Sequence, residues 1–378
     1  MSGMKNGALF LFVLAAAGCS TPVPPPQEPT PIVSVVKARS TLNNAMNTKI
    51  LVVASTMNTV AMIDVVTLAV NAVTVGKDPV SIDVTPDGST AFVANAKSDF
   101  VSRLSLPSLN ATDIQAGPGP QSVAVTPDGR SAVVRNSDNS VAFISTSTDA
   151  VALVRTQSIP AGFVISPDSS SIWVLDNNPT ELERISPGIP VHDITLLPCS
   201  KASSIALSGD ATVIAVGCAQ PEGIILDSLT DTTLQTLPES FIPTSVQFFR
   251  NSRYLAALSM NPGFVFIQDT VPPWDNWVLN AGDLSMAFSI NSTNTGLAIA
   301  NNGSDDLTFY SIAGLSNSGF QETDIPLTRG PMATVFVDND QYVVVTEGTP
   351  MGGVSIVSTS DFSVRNVDFI GAQGILNR

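Results

Sequence analysis

The stretch VSIDVTPDGSTAFVAN (Val80–Asn95) decides the fold. Apolar residues alternate through Val80, Ile82 and Val84, the period of a strand with one face buried. Pro86-Asp87-Gly88 then supplies a preset φ, a side chain that hydrogen-bonds local backbone, and a residue free to take positive φ. A second strand ends on Phe92-Val93-Ala94-Asn95. The unit is a β-hairpin, and a hairpin alone cannot bury both of its faces.

The hairpin recurs as QSVAVTPDGRSAVVRN (Gln121–Asn136) and, less faithfully, from Gly162, Ser203, Thr244, Ser285 and Ala333. Equivalent turn positions fall at Pro86, Pro127, Pro167, Gly209, Arg250, Asn291 and Asn339, spaced 41, 40, 42, 41, 41 and 48 residues apart. A period near forty residues, with four short strands and no long amphipathic helical pattern, predicts an all-β propeller of four-stranded blades packed radially. Residues 49–75 (KILVVASTMNTVAMIDVVTLAVNAVTV) read as the last three strands of another blade. GAQGILN (Gly371–Asn377) aligns with Gly119–Val125 and reads as its missing first strand. The expectation is eight blades, with seven as the alternative, over a domain of residues 49–378. The ring would be closed by pairing of N- and C-terminal strands, so that truncation at residue 370 would be strongly destabilising.

The repeats resemble the YVTN family of β-propellers over roughly residues 49–378. The aromatic-Val-x-Asn hallmark stands as Phe92-Val93-Ala94-Asn95 and decays to Val133-Val134-Arg135-Asn136 and Trp173-Val174-Leu175-Asp176. This resemblance implies a fold and little about function. Some propeller relatives are small-molecule hydrolases such as lactonases, which generally use histidine, arginine or metal-binding carboxylates in a central pocket.

The N-terminus reads as an address. Lys5 precedes an apolar run from Ala8 to Ala17, ten residues and too short to span a bilayer. Ala16-Ala17-Gly18-Cys19 resembles the lipobox of bacterial lipoproteins, which implies a signal peptide over residues 1–18 and diacylglycerol and palmitate-type acylation of Cys19. Residues 19–48 form a tether whose segment STPVPPPQEPTP (Ser20–Pro31) holds six prolines and favours an extended spacer. Ser20 after the lipidated cysteine favours the outer membrane, facing the periplasm or the cell surface. The expected partners are the membrane, through acyl chains on Cys19, and an envelope protein.

Charge and composition exclude other classes. The chain carries 32 acidic and 17 basic residues, a net charge of −15, so nucleic-acid binding is disfavoured. A single histidine, His192, rules out two-histidine metal sites within the chain. With Cys19 lipidated, Cys199 and Cys218 remain as an even pair in an oxidising compartment. They align with Gly117 and Asn136, at the same end of adjacent strands, which predicts a disulfide.

No catalytic, cofactor or metal constellation emerges. Clustered oxygens at Asn136–Asn139, Asp176–Asn178 and Asn301–Asp306 raise calcium as a ligand, but Asn and Asp in such loops read as turn-formers. The candidate interaction surface comprises Trp274 and Trp277 of VPPWDNW, with Asp138, Asn177 and Asp305 in loops. The leading functional reading is a non-catalytic protein-binding or scaffold module of the cell envelope. The alternative is a lactonase-like hydrolase, or a ligand-binding propeller, using the central channel.

Overall fold

In the computed structural model the described residues are 35–37, 48–177, 180–186, 189–219, 223–237, 242–260, 262–312, 320–328, 330–348 and 353–368. They form eight four-stranded antiparallel sheets, each made of strands consecutive in sequence. The first strands are β1 (Val35–Lys37), β5 (Pro79–Val84), β9 (Ser122–Val125), β13 (Pro160–Ile165), β17 (Ser204–Leu207), β21 (Pro243–Phe248), β25 (Ser285–Ile290) and β29 (Pro331–Val337). First strands of neighbouring blades approach one another, β1 meeting both β5 and β29, so the sheets close into a ring. The chain therefore folds as an eight-bladed β-propeller, and the seven-bladed alternative falls.

The core is distributed rather than central. Among the described residues, the buried apolar side chains form eight clusters, one at each seam between successive blades. The seam joining blade one to blade eight holds Ile50, Val52 and Ile63 against Val344, Val354 and Ile356. Seven of these clusters contain nine to eleven buried residues, whereas the seam between blades three and four has only five: Val133, Val141, Ile172, Val174 and Ile185. Burial stabilises by roughly 25 cal/mol per Å² of apolar surface, so this seam is the least cemented.

At the closure the structure departs from the pattern of repeats. The first-strand position of blade one is filled by Val35–Lys37, which pairs with β2 (Lys49–Ala54) through Val35 opposite Val52 and Lys37 opposite Ile50. That strand lies in the stretch assigned to the tether, and residues 371–377, expected there, fall outside the described residues. Pairing of chain ends within one blade is therefore replaced by packing between whole blades. Arg365 supports it, donating from Nη2 to the Val65 carbonyl at 2.8 Å and stacking over Tyr342 at 5.0 Å.

The Pro-Asp turn explains why the hairpins form. The Thr85 hydroxyl donates to Asp87 Oδ1 at 2.6 Å, the Ser89 N–H donates to the same oxygen at 3.0 Å, and Gly88 takes φ +72°. Thr126–Asp128 and Ser208–Asp210 repeat the hydroxyl–carboxylate bond at 2.6 Å, and Ser166–Asp168 repeats it at 2.5 Å. The Ser166 hydroxyl and the Ser170 donors hold the Asp168 carboxyl down to about 2. The turns also link blades: the Asp128 N–H donates to Ser169 Oγ and the Asp210 N–H to Ser252 Oγ, both at 3.1 Å.

Where the motif has decayed, the left-handed position passes from Gly88 and Gly129 to Ser169, Ala211 and Ser252, at φ +62°, +59° and +60°. Ser169 and Ser252 offset that strain by accepting the inter-blade bonds, but Ala211 has no side-chain oxygen to do so. Ala211→Gly is therefore expected to stabilise the fold by about 0.5–1 kcal/mol, read as a shift in urea midpoint with unchanged slope.

Candidate functional site

In an antiparallel blade, loops joining second to third strands share one face with the connections between blades. Loops joining third to fourth strands lie on the opposite face. Asp138 and Asp305 occupy loops of the first kind, in blades three and seven, and Asn177 ends β14 (Ile172–Asn177) of blade four on the same face. Trp274 lies between β23 (Gly263–Asp269) and β24 (Asn276–Asn280), on the other face. Trp277 is on β24, half-buried, its ring edge-on to Tyr254 at 5.9 Å and packed on the core between blades six and seven. The five candidates do not form one surface. Asp138 and Asn177 lie on neighbouring blades, with Asp138 paired to Arg155 at 2.7 Å. His192 falls on the outermost strand of its blade, β16 (Ile189–Leu196), opposite Ile185. Cys19 lies outside the described residues.

Cys199 and Cys218 are disulfide-bonded, with Cα atoms 5.9 Å apart. The bridge stands where blade three uses Asn136 against the connector at Ala116 and Gly117. The Asn136 amide donates to the Ala116 carbonyl at 2.9 Å, and Gly117, at φ +106°, leaves no room for a Cβ beside it.

That same position, the end of the second strand, holds the site that sequence reasoning missed. In blade two the Asn95 amide donates to the Phe100 carbonyl and to Ser102 Oγ, both at 3.1 Å. In blade seven the Asn301 amide donates to Thr308 Oγ1 at 2.8 Å. The register places Asp176 where Asn95 and Asn301 stand, and Glu183 where Ser102 and Thr308 stand. Blade four therefore replaces an amide–hydroxyl pair with two carboxyls, neither of which has an N–H to offer the other.

Both are fully buried. Glu181, half-buried on the same strand β15 (Thr180–Ser186), brings a third carboxyl, and one oxygen from each lies within 4.8 Å of the others. The connector from blade three contributes donors: the Gln157 N–H reaches Glu183 Oε1 at 2.5 Å and the Ser158 N–H reaches Asp176 Oδ2 at 3.2 Å. Asp176 Oδ1, Glu181 Oε2 and Ser158 Oγ are buried without a hydrogen-bond partner. Among the described residues neither Asp176 nor Glu181 is ion-paired to a lysine or arginine. Burial, then the hydrogen bond and charge of Glu183, push the Asp176 carboxyl up to about 8. Near neutrality the Asp176 carboxyl therefore still holds its proton.

The connector also borders a depression of about 640 Å³ lined by Asp138, Asn139, Gln157, Ser158, Ile159, Pro160 and Ala161. Thinnest core, open groove and buried acids all coincide at the seam between blades three and four. The signal was present in the sequence as the decay of the hallmark asparagine to Asp176.

Comparison with solved structures agrees with the ring. The chain is similar to dihydro-heme d1 dehydrogenase NirN (TM-score 0.70, 15% identity, 89% of this chain and 78% of that one). It is also similar to Kuenenia stuttgartiensis hydrazine synthase (TM-score 0.55, 18% identity, 83% and 93%). A third likeness is the β-propeller domain of Myceliophteria thermophila Cps50 (Swd1) (TM-score 0.58, 11% identity, 75% and 97%). At these identities the likeness is one of fold. No protein-family model and no curated protein matches the chain.

Proposed function

We propose that the chain is a membrane-anchored bacterial lipoprotein of the outer membrane whose propeller is a non-catalytic protein-docking module. The lipobox-like Ala16-Ala17-Gly18-Cys19 and the Pro-rich stretch after it support the anchor. One observation carries the docking role. Large aliphatic side chains are exposed on the outer strands of four successive blades, three to six: Leu153 at 53%, Ile194 at 44%, Leu196 at 67%, Leu234 at 45% and Val278 at 57%. The equivalent strand of blade seven, β28 (Gln321–Pro326), instead exposes Gln321, Glu322 and Asp324. Apolar exposure concentrated on one arc is the mark of a surface that meets another protein.

The test is crosslinking in intact envelopes, followed by purification through the propeller. Wild type is expected to yield a defined adduct. A Leu153→Glu, Leu196→Glu, Leu234→Glu variant with unchanged melting temperature is expected to lose it, and Cys19→Ser to leave the membrane fraction and the palmitate-labelled pool. An adduct unchanged by the triple variant would overturn the docking surface, and a Cys19→Ser protein still in the membrane would overturn the anchor.

A further inference from the structure

We propose that Asp176, Glu181 and Glu183, with the neighbouring Ser158 hydroxyl, bind a hard divalent cation, calcium foremost, that fastens blade three to blade four. The donor set is all oxygen, which selects calcium, magnesium or manganese over zinc or copper. Calcium–oxygen bonds of about 2.3–2.6 Å place ligands on opposite sides of the ion about 5 Å apart. The three carboxyl oxygens lie within 4.8 Å of one another, inside that span.

Two observations independent of the acid count point to a ligand. First, Asp176 Oδ1 and Ser158 Oγ are buried with no hydrogen-bond partner, one contributed from each side of the seam. Asn95 Oδ1 and Asn136 Oδ1, at the same position of blades two and three, are likewise buried without a partner, but they are neutral amide oxygens; a carboxyl oxygen beside an orphaned hydroxyl is costlier to leave unsatisfied and calls for a group to satisfy it. Second, blades two, three and seven build this position from neutral amide–hydroxyl pairs and blade eight sets a single acid, Glu347, against the Ser355 hydroxyl, so the fold itself does not require clustered acids here. Where the apolar cluster between blades is smallest, an ion bridging the β14 and β15 carboxylates to the connector at Ser158 would supply the missing cohesion.

Calcium would not need a loop of the twelve-residue kind, because its ligands come from two paired strands and a connector. Its access route runs past half-buried Glu181 and the depression beside Ser158. The site rests on the blade-four carboxylates and the connector at Ser158, so it stands or falls independently of lipidation and of the aliphatic rim.

The experiment uses the purified propeller-bearing chain, stripped with EDTA and titrated with calcium chloride while its melting temperature is followed. Magnesium and manganese chlorides serve as parallel probes. Wild type is expected to show a saturable rise of roughly 5 °C by millimolar calcium. Asp176→Asn and Glu183→Gln, both near-isosteric, are expected to abolish the rise, while Asp305→Asn on blade seven keeps it. A saturable rise with magnesium or manganese that the same two variants abolish also supports the site. No saturable rise with any of the three ions overturns it, as does a rise of equal size in Asp176→Asn. If Asp176→Asn proves unstable, isothermal titration of Glu183→Gln and wild type decides in its place, equal affinity overturning the proposal.

Discussion

Asp176→Asn is expected to raise the melting temperature in EDTA by roughly 5 °C at pH 8, and by little at pH 4. Asp176 is fully buried beside Glu183, and its carboxyl is pushed up to about 8, first by burial and then by its neighbour. The folded state therefore holds a proton that the unfolded chain releases near pH 4. Between those values folding takes up a proton, so metal-free wild type loses stability as pH rises from about 4 to about 8 and levels off above. Each tenfold difference in proton affinity between the folded and unfolded chain corresponds to about 1.4 kcal/mol, and relaxation around a buried pair reduces the full effect to the order of 2–3 kcal/mol. Asparagine cannot ionise and gives Glu183 an amide donor, as Asn95 gives Ser102. The variant's profile should be flat across that window, where wild type slopes. Parallel profiles would show that the carboxyl ionises without cost and that the seam is wetter than its burial indicates.

The propeller is legible in the sequence because its turn chemistry repeats: a hydroxyl, an aspartate and a left-handed residue recur at one period, and each makes the same hydrogen bonds. Blade count follows from that period. The closure is not legible, because Val35–Lys37 has no turn signature and follows prolines, so composition masks a three-residue strand. The disulfide is legible because Cys199 and Cys218 replace a Gly and an Asn whose places in the repeat are already fixed. The carboxyl cluster is hidden. Asp176 reads as a loop residue beside its asparagine neighbours, whereas it closes a buried strand. Glu181 and Glu183 sit on the next strand, in a repeat too decayed to align by turn residues alone. Only the register of β14 against β15 brings the acids together.

Replacing both cysteines, Cys199→Ala with Cys218→Ala, is expected to cost about 3 kcal/mol and lower the melting temperature by several degrees. The bond closes a loop with a sequence separation of 19, and cross-linking removes that loop's freedom from the unfolded chain. Alanine is the right replacement because Cys218 is fully buried at the end of β18 (Val213–Gly217), among Trp173, Leu175 and Val216, where a serine hydroxyl would be desolvated. The bridge also does locally what Asn136 does in blade three, tying a connector to the strand end beside it. Its loss should therefore expose the segment around Ser200–Ser203 to protease before the ring opens. A reducing agent should reproduce the loss in wild type and leave the double variant unmoved. A reducing agent that destabilises both equally would place its action elsewhere, and a double variant as stable as wild type would mean the unfolded chain is already restricted across this loop.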